Sequence, residues 1–445
     1  MITRKNLVSV LLMSLVVSAC SSVSKNIFEQ SDNEAIAKVD AHTKLYVPAK
    51  RITAKPGYHW FAYYDKIQCD PTNRYVLGMQ TTFEHRSPTQ DDVIEIGMVD
   101  LQDNCKWIKL GESRAWGWQQ GCQLQFIPNT TNMVLWNDKK DGQFVCHIMN
   151  IETREKRTIP WTVYALSPDG KWAVTTDYRR VNDTRPGYGY AGIPDPNSNI
   201  LAPENSGIWK VNLETGEAEL IISLAHAVTI DNPYEKEFTD AKHWFNHLLV
   251  NPDGTRFIFL HRWRYPDEVR NEPYKNVGGF GTRMFTASAD GTDLRVIDPY
   301  NYTSHFIWRD PSHILAWTRI PDKGFGFFLF EDSPVEHIEQ IGEGVMPLNG
   351  HCTYLPGNEW ILNDTYPDKK THLQSVYLYH VPTGKRVPLA DFYSPPEYQG
   401  EWRCDTHPRS TLDGNYVIVD SPNWDGRQMY MLDIRDIIKS EQTEN

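Results

Sequence analysis

The chain of 445 residues contains no Cys-x-x-Cys pair, which argues against a structural zinc knot. It has no Gly-x-Ser-x-Gly, so the strand-to-helix elbow of a serine hydrolase is missing. Its glycine-rich stretch GGFG (278–281) is not followed by Lys-Ser/Thr, which excludes a phosphate-cradling loop there. Beyond the N-terminus no run of 18 apolar residues occurs, so the body carries no membrane-spanning helix. Basic residues are in deficit: 45 Lys and Arg against 57 Asp and Glu leave a net charge of −12. That balance argues against a nucleic-acid partner. Few windows longer than twelve residues keep a 3.6-residue apolar period, and 28 Gly and 28 Pro interrupt the rest.

What the chain has in quantity is aromatic rings, 12% of residues, including 15 Trp and 22 Tyr. Rings suit β-rich folds and sugar-facing surfaces, because they combine flat apolar area with a polar edge. The first nineteen residues read as an export signal: Arg4 and Lys5 are followed by an apolar stretch from Leu7 to Val17. Val17-Ser18-Ala19-Cys20 resembles the lipobox of bacterial lipoproteins, which implies acylation of Cys20. Ser21 at the next position implies outer-membrane sorting, in the periplasm or at the cell surface. Residues 20–43 are polar and unpatterned, as a tether would be. Six cysteines remain, and outside the cytoplasm they are free to pair in any of fifteen ways or to stay as buried thiols.

One short turn followed by an apolar strand recurs seven times. The copies are CDPTNRYVLG (69–78), IPNTTNMVLW (127–136), SPDGKWAVTT (167–176), NPDGTRFIFL (251–260), RDPSHILAWT (309–318), LPGNEWILND (355–364) and TLDGNYVIVD (411–420). Their spacing of about 40 to 84 residues fits propeller blades with insertions. The expected fold is all-β: a seven-bladed β-propeller over residues 44–438. The last blade is one strand short after Gln428–Ile434, and residues 45–53 are expected to supply that strand and close the ring. A long insertion, roughly 178–205, holds three tyrosines and three arginines and reads as a functional loop.

Aligned on the turns, one position six residues upstream reads Lys66, Gln123, Val163, His247, His305, His351 and His407. Four consecutive histidines at one register arise by chance on the order of 1 in 2,000, after allowing for about ten registers. Equivalent positions in a propeller lie on a circle. Four imidazoles, with Gln123 adding an oxygen, therefore point to a transition-metal site at the channel mouth. His261, Arg262 and Arg264 end the fourth repeat. With Arg179, Arg180, Arg185 and Tyr188 of the insertion they suggest a basin for a carboxylate-bearing sugar.

The repeated turns resemble TolB-like propellers. SHFIWRDPSHILAW (304–317), FIFLHRW (257–263) and CDTHP (404–408) resemble the oligogalacturonate lyases. That resemblance implies a manganese site of three histidines and a glutamine, with a further histidine as base. It assigns His305 and His407 as ligands and His261 as base. It also marks departures. Arg262-Trp263 stand where the family has Glu-Gly, Cys404 replaces its glutamine, and Arg409 replaces the second histidine of its His-Pro-His. The third ligand then falls to His351 or His247, and Tyr188 is an alternative base. The implied activity is metal-dependent β-elimination on uronate-containing oligo- or polysaccharides by a monomer. Two alternatives are a non-catalytic envelope-scaffold propeller and a glycoside hydrolase using Asp364 and Asp420.

Overall fold

The computed structural model describes residues 28, 39–265, 279–333 and 337–442. Seven antiparallel sheets follow one another along the chain, and each supplies one blade of a seven-bladed β-propeller. Blades 1 to 7 span residues 58–113, 125–159, 165–223, 242–298, 306–341, 353–393 and 409–433. In blades 1 to 6 the chain runs from an innermost strand outward through three antiparallel neighbours. The expected closure is present. Ala49–Arg51 forms the outermost strand of blade 7, with Ala49 opposite Leu432 and Arg51 opposite Tyr430. Lys44–Leu45 adds a fifth strand to blade 6. Among the described residues no helix is long and apolar enough to cross a membrane.

The second strand of each blade explains why the repeats read as apolar runs. Arg256–Arg264 is buried at eight of nine positions and Tyr416–Ser421 at five of six. Such a strand is covered by a neighbouring blade on both faces, so strict alternation gives way to continuous burial. The core therefore lies between blades. Trp60, Met79 and Ile96 of blade 1, for example, share one cluster with Trp136 of blade 2 and Met429 of blade 7.

The recurring turn has a local cause and a ring-wide one. In SPDG, Asp169 accepts from Ser167 Oγ at 2.6 Å and from the Lys171 N–H at 3.1 Å, and Gly170 takes φ +69°. Asp253 and Gly254 (φ +76°) repeat the pattern. The left-handed position favours glycine, and Asx-type bonds hold the bend. Turns of adjacent blades then clasp each other. Asn129 Nδ2 donates to the Pro168 carbonyl at 2.7 Å, Asn251 Nδ2 to Pro311 at 3.1 Å and Asn358 Nδ2 to Arg309 at 2.7 Å. The turns join first and second strands, so they ring one face of the propeller. Connections entering the first strands, and those joining second to third strands, lie on the other face.

That second face collects the long segments. The insertion predicted as a loop opens instead with a helix, Tyr178–Thr184, capped by the Asp177 side chain on the Arg179 N–H. Two features fix it. Tyr178 stacks on Tyr190 at 4.1 Å, and buried Arg180 donates to the carbonyls of His243, Asn197, Ile200 and Leu201 and pairs with Asp195 at 3.1 Å. The six cysteines of the body are all free, and five of them are buried.

Candidate active site

Each register residue sits where the chain enters or bends within an innermost strand. Gln123 (φ +58°), His247 (φ +52°) and His407 (φ +40°) take left-handed backbone, with His247 inside a bulge between Asn246 and Leu249. Non-glycine residues in that region cost about 1–3 kcal/mol each and persist where surrounding structure holds them.

Three of the four predicted histidines meet. The ring centroids of His305 and His351 are 4.2 Å apart, and those of His351 and His407 are 4.3 Å apart. His351 Nδ1 lies 3.0 Å from both oxygens of Asp364, which also accepts from its backbone N–H and from Thr406 Oγ1. His305 Nδ1 donates to Asn349 Oδ1 at 2.9 Å, and Tyr366 OH stands 3.4 Å from its Nε2. A carboxylate or amide on Nδ1 fixes the tautomer that presents an Nε2 lone pair, as in metal-bound histidines. Burial lowers all three pKa values, that of His351 to about 3, and mutual repulsion lowers His305 and His407 further. Neutral imidazole is the ligand form.

Asp405, which the register could not show, completes the group. Ligand atoms of His351, Asp405 and His407 all lie within 4.8 Å of one another. His407 Nε2 and Asp405 Oδ1 are buried and make no hydrogen bond among the described residues. Asp405 Oδ2 accepts from Arg403 Nε at 2.8 Å and lies 3.9 Å from His407 Nε2. The two orphaned atoms, beside further neutral imidazoles, fit the donor set of a divalent transition metal.

His247 is not in this cluster. The Tyr63 ring stands between, 5.2 Å from His247 and 4.9 Å from His407, and His247 Nδ1 faces Gln120 Nε2 at 3.2 Å. Gln123 is buried, and its amide bonds to none of the described residues. On the His247 side lies a basic and phenolic basin. Arg185, Arg262 and Arg264 surround the Phe280 ring at 4.4, 4.8 and 5.1 Å. Arg262 Nε and Nη1 and Arg185 Nη1 are buried without a hydrogen bond among the described residues. Burial, then the Arg185 charge, lowers the Arg262 guanidinium to about 9. Tyr188 accepts from Arg403 Nη2 at 2.8 Å and from Arg185 Nη2 at 3.3 Å. Burial alone would raise its phenol, but the Arg403 and Arg185 charges outweigh burial and bring it down to about 8. Tyr188 packs 5.6 Å from His247.

Other predicted residues lie elsewhere or serve the fold. His261 is fully buried among Phe238, Phe245 and Phe285. Arg283 can only donate, so its 3.3 Å bond occupies His261 Nδ1, and His261 Nε2 then donates to His243 Nδ1 at 2.9 Å. No lone pair is left to act as base, which removes His261 from that role. Arg179 is bound to its own cap residue Asp177, and Arg180 is consumed in pinning the insertion. Arg264 Nη1 donates to the Thr184 carbonyl at 3.1 Å while its guanidinium faces Phe280. Asp420 is held by Arg409 and by the N–H groups of Phe61 and Ala62. Asp364 is held by His351 and Thr406. Tyr63, Gln120, Arg403 and Asp405 escaped the register argument because they lie two to four residues upstream of it. Those same entry loops converge on the channel mouth.

The site thus belongs to a seven-bladed propeller whose loop-bearing face holds a His/Asp cluster beside buried arginines. No protein-family model matches the chain, and no curated protein sequence does. Solved structures do. An oligogalacturonate lyase in complex with manganese aligns with a TM-score of 0.60 at 15% identity, over 89% of this chain and 94% of that one. The oligogalacturonate lyase of Vibrio parahaemolyticus aligns at 0.58 and 14%, over 89% and 95%. A puromycin-hydrolyzing peptidase of Mycobacterium tuberculosis aligns at 0.50 and 14%, over 86% of this chain and 52% of that one. At these identities the likeness establishes the propeller fold.

Proposed function

We propose that the protein is a metal-assisted lyase that cleaves uronate-containing oligo- or polysaccharides by β-elimination. The observation that carries this reading is the buried guanidinium of Arg262, flanked by the half-buried one of Arg185; neither finds a carboxylate among the described residues, and both stand beside a phenol with a lowered pKa. Leaving such a cation buried and unpaired costs several kcal/mol, which a substrate carboxylate would offset. That carboxylate fits Arg262 and Arg185. The Tyr188 phenolate then removes the C5 proton, the C5 electron pair forms the C4=C5 bond, and the C4–O4 bond breaks. O4 leaves with its electrons and is protonated from bulk solvent, to which Tyr188 then returns the C5 proton, so no water is consumed and no redox partner enters. Arg403 holds the Tyr188 oxygen in place and favours its anionic form. His351, His407 and Asp405, with His305 alongside, would hold a divalent cation, manganese being the first candidate. When bound there, such a cation supplies Lewis acidity that stabilises the negative charge developing on the uronate.

The resemblance to two oligogalacturonate lyases in fold supports galacturonate as the first substrate class to try. An acyl anchor on Cys20, which lies outside the described residues, would hold a monomeric enzyme in the bacterial cell envelope. The test is incubation with oligogalacturonate in manganese, following the ultraviolet absorbance of the unsaturated uronate. A rise that EDTA abolishes supports the proposal. Cleavage that yields only saturated ends would replace it with hydrolysis, and saccharide binding without cleavage would favour the scaffold alternative.

A further inference from the structure

A second cavity, of about 820 Å³, opens over blade 6. That size lies within the range of roughly 300–1,000 Å³ typical of ligand sites. It adjoins the histidine cluster: Asn349 and Tyr366, which line it, also contact the two ring nitrogens of His305. Its outer wall carries Lys369, Lys370 and Arg386, a local reversal of sign in a chain of net charge −12. Both lysines are exposed.

The cavity also holds two acids, half-buried Asp391 and exposed Asp368. Asp391 accepts from the Tyr46 and Ser375 hydroxyls at 2.8 and 2.6 Å. Asp368 accepts from the N–H groups of Lys370 and Thr371, which forms the turn that presents both lysines. Leu348, 57% exposed, supplies an apolar patch at the mouth. Cations able to meet carboxylates and an apolar patch for a ring face together match an acidic sugar chain.

We propose, resting on the uronate reading of the adjoining basin, that this cavity seats further uronate units of the same chain. The protein then selects for chain length rather than for a single sugar. Calorimetric titration of the manganese-loaded full chain tests this, using digalacturonate and tetragalacturonate in a Tyr188→Phe background to suppress turnover. The tetramer should bind about tenfold tighter than the dimer, a gain of roughly 1.4 kcal/mol. Lys369→Ala with Lys370→Ala should abolish that gain, leaving dimer binding and the melting temperature unchanged. Equal affinity for dimer and tetramer, a gain that survives the double substitution, or no binding of either would overturn the proposal. A chain-length gain in a protein that never produces unsaturated ends would instead overturn the elimination chemistry and leave the cavity assignment standing.

Discussion

Arg262 is buried and has no anionic partner among the described residues, an arrangement that works against the folded state. Replacing it with Met should raise the denaturation midpoint, by about 1–4 kcal/mol of stability, while lowering kcat/KM on uronate at least about 100-fold. Paired chemical-denaturation and absorbance measurements on that one variant check both halves. Tyr188 offers a second residue-level check through pH. Its folded pKa of about 8 lies below the ordinary phenol value of 10, so its reactive anion accumulates as pH rises through about 8. The kcat/KM profile should rise on a limb near that pH. Arg185→Gln removes one of the cations that lower it and should move the limb upward. Tyr188→Phe should cut kcat by about 10²–10⁴. A limb that Arg185→Gln leaves in place would dismiss Tyr188 as base. Tyr188 was legible in the sequence because the insertion is dense in Tyr and Arg. Its activation was not, because Arg403 reaches it from a loop 215 residues away.

At the scale of elements, the strand Ala49–Arg51 and the seam between blades 1 and 7 hold the ring shut. Ile52, buried just past that strand, packs in the cluster that joins these blades. Ile52→Ala should cost about 2–5 kcal/mol, read from the denaturant midpoint. The same seam contains His59, whose Nδ1 meets Gln428 of blade 7 at 3.1 Å and whose Nε2 meets Gln80 of blade 1 at 3.0 Å. Burial lowers its pKa from 6.5 to about 4. The folded state therefore binds fewer protons than the unfolded chain between those values. His59 leaves stability intact above about pH 6.5 and withdraws up to about 3 kcal/mol as pH falls to about 4. His59→Gln should flatten stability over that interval, and an unchanged acid slope would contradict the assignment. The blades and this closure were readable because each repeat announces itself by a turn of fixed chemistry, and the missing strand could be counted. The helix Tyr178–Thr184 was hidden. Its cap and its stacking on Tyr164 and Tyr190 are tertiary contacts that leave no periodic trace in seven residues.

At the scale of the molecule, the two faces divide the labour. One is a ring of short, mutually clasped turns, while the other gathers the insertion, the entry loops, the His/Asp cluster and the cavity over blade 6. The fourfold histidine register pointed to that face, since equivalent residues of a propeller lie on one circle. Register alone could not tell three neighbours from four: His247 occupies the circle, yet Tyr63 separates it from the others. Asp405 was equally invisible to it, lying two residues upstream of His407 in a loop that folds back on the axis. A metal held by this cluster is what the proposed chemistry needs. Elemental analysis of the purified protein beside a His351→Ala, His407→Ala variant measures that directly. About one equivalent of a divalent transition metal in the wild type, lost in a variant that remains folded, is the predicted result. A wild type that stays empty after soaking in manganese and in zinc, or a variant that keeps its metal, would contradict it.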